Sequence, residues 1–310
     1  MPPKLSLYND YESTVQFISN IRAIALGQRR RVWLDFDETT QIGPAAMLVL
    51  LAEIYRCRKI EANAARVTGS YPADKKLERD LQDAGFYKLL DVRNRLPDQN
   101  PSGQTEYIPF VTGTKTVGEV ADGLQKALLG PTIHMRPDLS SKLYRGLTEA
   151  MTNVVQHAYP PDAPGPRRFK SRWWLVGHID KQKQQLMVML FDQGVGIPKT
   201  LPKNYNAELI TAMLGSLGII TPRHAEFIQA AMALGRSKTK DEHRGRGLQD
   251  LRSFVDNAGT GSLTIFSSRG QFEYRAGGKE SLTNHDKSLG GTLIEWTVPL
   301  AALENVSNGD

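Results

Sequence analysis

The chain has 310 residues, 40% of them apolar and 23% charged, and its single cysteine, Cys57, has no second thiol with which to pair. That composition belongs to a globular protein of about two domains and excludes a collagen-like, fibrous or disordered chain and an internal disulfide. The formal charge of +6 comes from 39 basic and 33 acidic residues interleaved along the sequence, so nucleic acid is not an expected partner.

The longest apolar run, Ala45 to Ala52, is far shorter than the roughly 20 residues that cross a bilayer. The start, MPPKLSLYNDYEST, has no apolar signal core. A reducing cytoplasm with no membrane partner is the expected setting. Arg31 to Phe36 is β-prone, and a turn-rich stretch from Asp37 to Gly43 leads to Pro44, which suits the first position of a helix running to Arg58. A second strand is expected over Ala64–Gly69. A helix is expected over Lys75–Leu90, where Leu77, Leu81, Ala84 and Leu89 recur at near-helical spacing. The Pro-, Gly- and Asn-rich segment from Asp91 to Thr114 reads as the end of this small α/β unit and a linker or edge element.

Ser140 to Tyr159 carries an apolar stripe (Leu143, Leu147, Met151, Val154, Ala158) and is stopped by Pro160-Pro161, so a strong helix is predicted there. Strands are predicted over Arg172–Ile179 and Leu186–Phe191, helix within Asn206–Leu234 and over Leu248–Asn257, and strands near Gly261–Ser267, Gln271–Arg275 and Gly291–Pro299. The alternating Trp173-Trp174 pair sends one ring to a core and the other toward a helix or partner. The expected division is residues 1–115, residues 116–303 and a frayed tail, 304–310.

Four separated pieces of the second half carry chemistry. Glu149 and Asn153 lie one helical turn apart on the same face, where one can hold a metal and the other handle a water or hydroxyl. Asp192-Gln193-Gly194-Val195-Gly196-Ile197 follows an apolar strand. Its glycines let backbone approach a flat ligand, and its carboxylate can accept from an exocyclic amine. Arg244-Gly245-Arg246-Gly247-Leu248 opens a helix and forms an anion site, preceded by the basic, hydroxyl-rich run Arg236-Ser237-Lys238-Thr239. Gly291-Thr292 enters the last strand and can place a hydroxyl on a phosphate. Taken singly, each has an ordinary reading as a solvated face, a tight turn or a basic loop. His157, one turn before Pro160, reads foremost as a cation at a helix C-terminus, with contact to a bound ligand as the alternative.

In this order the boxes Glu149–Asn153, Asp192–Gly196, Gly245–Leu248 and Gly291-Thr292 resemble the GHKL superfamily of ATP-binding domains over about residues 120 to 303. The resemblance implies a mixed β-sheet covered by helices, ATP and Mg²⁺ as cofactors, Asn153 on the metal, Asp192 on adenine, Glu149 as general base, and a lid before Gly245. The run Glu149 to Tyr159 is most similar to the anti-sigma factor serine kinases. The segment from Gly196 to Gly245 is longer than the lid of a compact member of that group.

Residues Val32–Phe36, Ile42–Ala46, Val67–Gly69 and Leu81–Phe86 resemble a STAS domain, with Gly43-Pro44-Ala45-Ala46 where that family carries a phosphorylated Ser. A docking or structural role is therefore expected there. The leading expectation is an α/β, Mg-ATP-dependent ATPase or protein serine kinase working as a signalling switch with a protein partner. A homodimer is allowed. The alternatives are a non-hydrolysing ATP-binding adaptor and an interaction module dominated by the N-terminal half.

Overall fold

The computed structural model describes residues 1–60, 67–97, 105–116, 135–163, 171–237 and 247–304. Near the N-terminus, strand β1 (Lys4–Leu5) is followed by helix α1 (Tyr11–Arg22), which buries Tyr11, Val15, Ile18 and Ile21 on one stripe. Two strands, β2 (Val32–Leu34) and β3 (Gln41–Ile42), precede helix α2 (Pro44–Ile60). Strand β4 (Val67–Gly69) comes after it; β1 pairs with β3 and β2 with β4, both parallel.

Pro44 is the first residue of α2, where its missing N–H costs nothing, and the backbone ladder begins with Met47 donating to Gly43 (2.8 Å). Every residue from Ala45 to Ile54 is buried, so this stretch of the helix has no solvent face and needs partners all round. The helix expected over Lys75–Leu90 is two helices, α3 (Lys75–Asp83), capped by Asp74, and α4 (Phe86–Leu89). They part at Gly85, whose φ of +79° is a left-handed conformation open chiefly to glycine.

The second half is built on seven strands. Strand β5 (Thr105–Gly113) precedes helix α5 (Pro137–Asn153), which continues as one π-helical turn over Val154–Ala158. Strands β6 (Trp173–Asp180) and β7 (Gln185–Asp192) form a hairpin. Helices α6 (Ile197–Asn204), α7 (Ala207–Ser216), α8 (His224–Ser237) and α9 (Gly247–Ala258) follow. Strands β8 (Ser262–Ser267), β9 (Gly270–Arg275), β10 (Glu280–Asn284) and β11 (Thr292–Pro299) complete the sheet, whose order is β10-β9-β8-β11-β7-β6-β5.

Every pairing in this sheet is antiparallel, which corrects the expected mixed sheet. The reason is the last strand. The helical crossover after β7 leaves β8 running in the same direction, but β11 inserts between them, antiparallel to both. Strand β5 falls within the segment read as a linker or edge element, and it is an edge strand of the sheet, paired with β6. Helix α1 and strand β10 were not anticipated. Among the described residues no helix is long and apolar enough to cross a membrane.

Both faces of the sheet are covered. On the front, Trp173, Leu175, Val188 and Trp296 pack with the α5 stripe and with Leu251 and Phe254 of α9. On the back, Trp174, Val176, Met189, Phe191 and Leu293 share one core with α1 and α2. Trp173 and Trp174 are both fully buried, one in each layer. One apolar core therefore includes residues from both halves of the chain. A third, small core joins α6, α7 and α8 through Leu201, Ile210, Leu214 and Leu234. This is what the long segment after Gly196 builds.

Candidate functional site

The end of β7 and the start of β11 lie side by side at one edge of the front layer: Asp192 is opposite Thr292, and Thr292 is opposite Ser267 of β8. Above them, α5 and its π turn, α6, α8 and the first turn of α9 enclose a cavity of about 790 Å³. Glu149, Asn153, Asp192, Gly196, Ile197, Leu248 and Thr292 all line it. The structure thus brings together a member of each of the four sequence boxes.

Asp192 is 4% exposed, and its Oδ1 accepts from the Gly194 N–H (2.7 Å). Among the described residues no cation stands beside it, and burial pushes its carboxyl up to about 7, against the opposing pull of the Gly194 and Thr292 backbone amides. Gly194 itself presses on the end of the π turn, where a Cβ would collide with the Ala158 carbonyl. The Val195 N–H donates to that same carbonyl (2.9 Å). Gly196 caps α6, and the Ile197 N–H donates to Ser267 Oγ (2.8 Å), which shares a hydrogen bond with Thr292 Oγ1 (2.9 Å). The Thr292 hydroxyl, expected on a phosphate, therefore sits beside Asp192 in a buried polar relay to Ser267.

Asn153 and Glu149 meet as the helical spacing predicts. The Asn153 amide nitrogen donates to Glu149 Oε1 (2.9 Å), so the amide oxygen is the atom it can offer a ligand. Burial raises the Glu149 carboxyl above the usual carboxylate range; the Asn153 bond opposes this and the charge of Asp250 adds to it.

Neither a protein-family model nor a curated protein matches the chain.

The site's chemistry is accordingly read from its own residues. Lys238, Thr239, Arg244, Gly245 and Arg246 lie outside the described residues. Arg236 and Ser237 end α8, and Gly247 begins α9. Among the described residues, no three His, Cys, Asp or Glu side chains gather as a metal centre.

His157 lines the cavity half-buried, and burial lowers its pKa. Sequence reasoning missed Asp250, Tyr205 and Ser267. Asp250 follows the glycine turn by one helical turn and faces Glu149 from another helix. Tyr205 lines the cavity at the α6–α7 junction, with its pKa raised by burial and by the Glu149 charge. A hydroxyl at the last position of a β-strand was the only signal for Ser267.

Proposed function

We propose that the chain is an Mg-ATP-dependent enzyme of the GHKL type that moves the γ-phosphoryl group to water or to a protein Ser or Thr hydroxyl, with a STAS-like N-terminal half as its regulatory layer. One observation carries this reading. A buried carboxylate with no cation beside it among the described residues and a helix-borne Glu–Asn pair face a single cavity large enough for a nucleotide.

In this reading Asp192 accepts from the exocyclic amine of adenine at the sheet end. Glu149 acts as base: burial and the Asp250 charge make its carboxylate more proton-seeking, and the Asn153 amide fixes its rotamer. The oxygen of Asn153 is a hard donor, and the Asp250 carboxylate lines the same cavity. Such oxygens suit Mg²⁺, which takes one or two protein ligands beside phosphates and waters. Bound there, the ion supplies charge neutralisation on the phosphates. The start of α9 adds backbone N–H groups to the same end of the cavity. In the N-terminal half, Ala45 and Ala46 are buried at the start of α2 and offer no hydroxyl, which favours a docking or regulatory role over phosphorylation.

The test is to incubate the purified chain with Mg²⁺ and γ-labelled ATP, alone and with cell lysate. Free labelled phosphate identifies an ATPase, and label on a second protein identifies a kinase. Binding without either product turns the reading into an ATP-dependent adaptor.

A further inference from the structure

The two backbone segments that shape the sheet end of the cavity are gripped from behind by α1 and α2. On the first segment, Gln193 sits between Asp192 and Gly194, yet its side chain points away from the cavity. Its Nε2 donates to Glu53 Oε2 (3.2 Å). Glu53 is 1% exposed and is the hub of an ion cluster, bound by Arg22 of α1 (2.7 Å) and by its α2 neighbour Arg56. The Gln193 N–H donates to Tyr159 Oη (2.9 Å), whose hydroxyl donates onward to the Arg172 carbonyl (2.9 Å).

On the second segment, which leads into Thr292, both carboxylate oxygens of Glu12 accept backbone N–H groups, from Asp286 (2.9 Å) and Lys287 (3.1 Å). Tyr11 stacks on His285 with ring centroids 3.6 Å apart and donates its hydroxyl to the Lys287 carbonyl (3.3 Å). Arg22 links the two grips: besides binding Glu53 it lies against Gly290, where a Cβ would stand 3.0 Å from both terminal guanidinium nitrogens.

An ion cluster that only stabilised the fold would have no need of Gln193. An apolar side chain of the same size would pack there without leaving a buried carbonyl oxygen, Gln193 Oε1, lacking a hydrogen-bond partner. That cost accompanies a bond reaching from the N-terminal helices to the residue next to Asp192.

Resting on the nucleotide reading of the cavity, we infer that Gln193 is a positioning residue through which Glu53 and the α1–α2 pair set the Asp192–Gly196 turn, so that the N-terminal helices control affinity at the site. Binding free energies are reciprocal, so a ligand in the cavity must in turn tighten the packing of α1 and α2.

The experiment uses the full chain and its Gln193→Leu, Glu53→Gln and doubly substituted variants. Mg-ATP affinity is read by calorimetry, and amide hydrogen exchange is followed with and without ATP. Gln193→Leu should weaken ATP about five- to tenfold while leaving the melting temperature nearly unchanged. Glu53→Gln should lose little further affinity in the Gln193→Leu background. In the ligand-free chain, Gln193→Leu should speed exchange selectively in residues 192–196, and ATP should slow exchange in α1 and α2 of the wild type only.

Gln193→Leu binding ATP within twofold of wild type, with unchanged exchange at 192–196, overturns the coupling. If wild type itself binds no ATP, the nucleotide reading has failed instead. The ligand-free exchange comparison then decides the coupling alone: selective acceleration at 192–196 upholds it and its absence overturns it.

Discussion

Two buried carboxylates lie on opposite sides of one turn. Behind it, burial alone would push Glu53 up, but Arg56 and Arg22 reverse the effect and hold it below the usual carboxylate range. In front, Asp192 is equally buried, with backbone amides but no counter-charge beside it among the described residues, and it rises to about 7. The first carboxylate has its counter-charges within the chain, as a group that holds structure does. The second keeps the cost of desolvation until something enters the cavity and donates to it.

The sharpest way to break this contrast is Glu53→Ala. It strands the partly exposed guanidinium groups of Arg22 and Arg56 and should cost about 3 kcal/mol, the low end for a broken buried pair because solvent reaches both, read as a lowered melting temperature at pH 7. Because the folded pKa of Glu53 is depressed, its contribution is present above the ordinary carboxylate pKa and is lost as pH falls through the folded value. The gap between variant and wild type should therefore close in acid. A loss under 1 kcal/mol at pH 7 contradicts a structural role.

Next in size is Glu149→Gln, which keeps the bond to Asn153 but removes the proposed base. Turnover should fall about 100-fold or more while ATP affinity stays within a few-fold. Steady-state phosphate release checks it, and wild-type turnover would remove Glu149 from the chemistry.

Asp192→Asn is expected to do the reverse of Glu53→Ala in the ligand-free chain. A raised carboxyl contributes stability that is present below its ordinary pKa and is lost as pH rises through about 7. The Asn variant should be more stable than wild type at pH 8, by on the order of 2 kcal/mol, with the gain vanishing toward pH 4. Thermal melts across that range give the answer, and a destabilised variant at pH 8 contradicts it.

The smallest effect is expected at Glu295 of β11, buried on the back of the sheet with its Oε2 unpaired and its carboxyl pushed up to about 6 by burial. Here too stability falls as pH rises through the folded pKa. Glu295→Gln should gain about 1–2 kcal/mol at pH 8 and nothing at pH 4 by denaturant titration. Equal midpoints at pH 8 would show that the charge finds a partner.

The front of the site was legible because its signals are local. Glu149 and Asn153 are one helical turn apart, Asp192 ends an apolar strand, and a glycine turn opens α9. The back was not. Helix α1 is written largely in polar residues, and β5 carries Pro109 at a register shift between Ile108 and Val111, so it reads as a linker or edge element and not as a regular strand. The position of β11 between β7 and β8 is a long-range choice that no short window contains. Glu53 did leave a trace, as the lone charge in the otherwise apolar stretch from Pro44 to Tyr55. Only the fold shows that Arg22 and Gln193 converge on it. Asp250 faces Glu149 from a different helix, and spacing cannot reveal that either.

The most direct measurement is a calorimetric titration of the full chain with Mg-ATP and Mg-GTP at pH 8 and pH 6. The account predicts saturable ATP binding and much weaker GTP binding, because guanine presents a carbonyl where adenine offers its amine. ATP affinity should drop toward pH 6, by at most about tenfold per pH unit below the Asp192 pKa, since the amine favours the ionised carboxylate. Absence of ATP binding, or equal affinity for ATP and GTP, would contradict it.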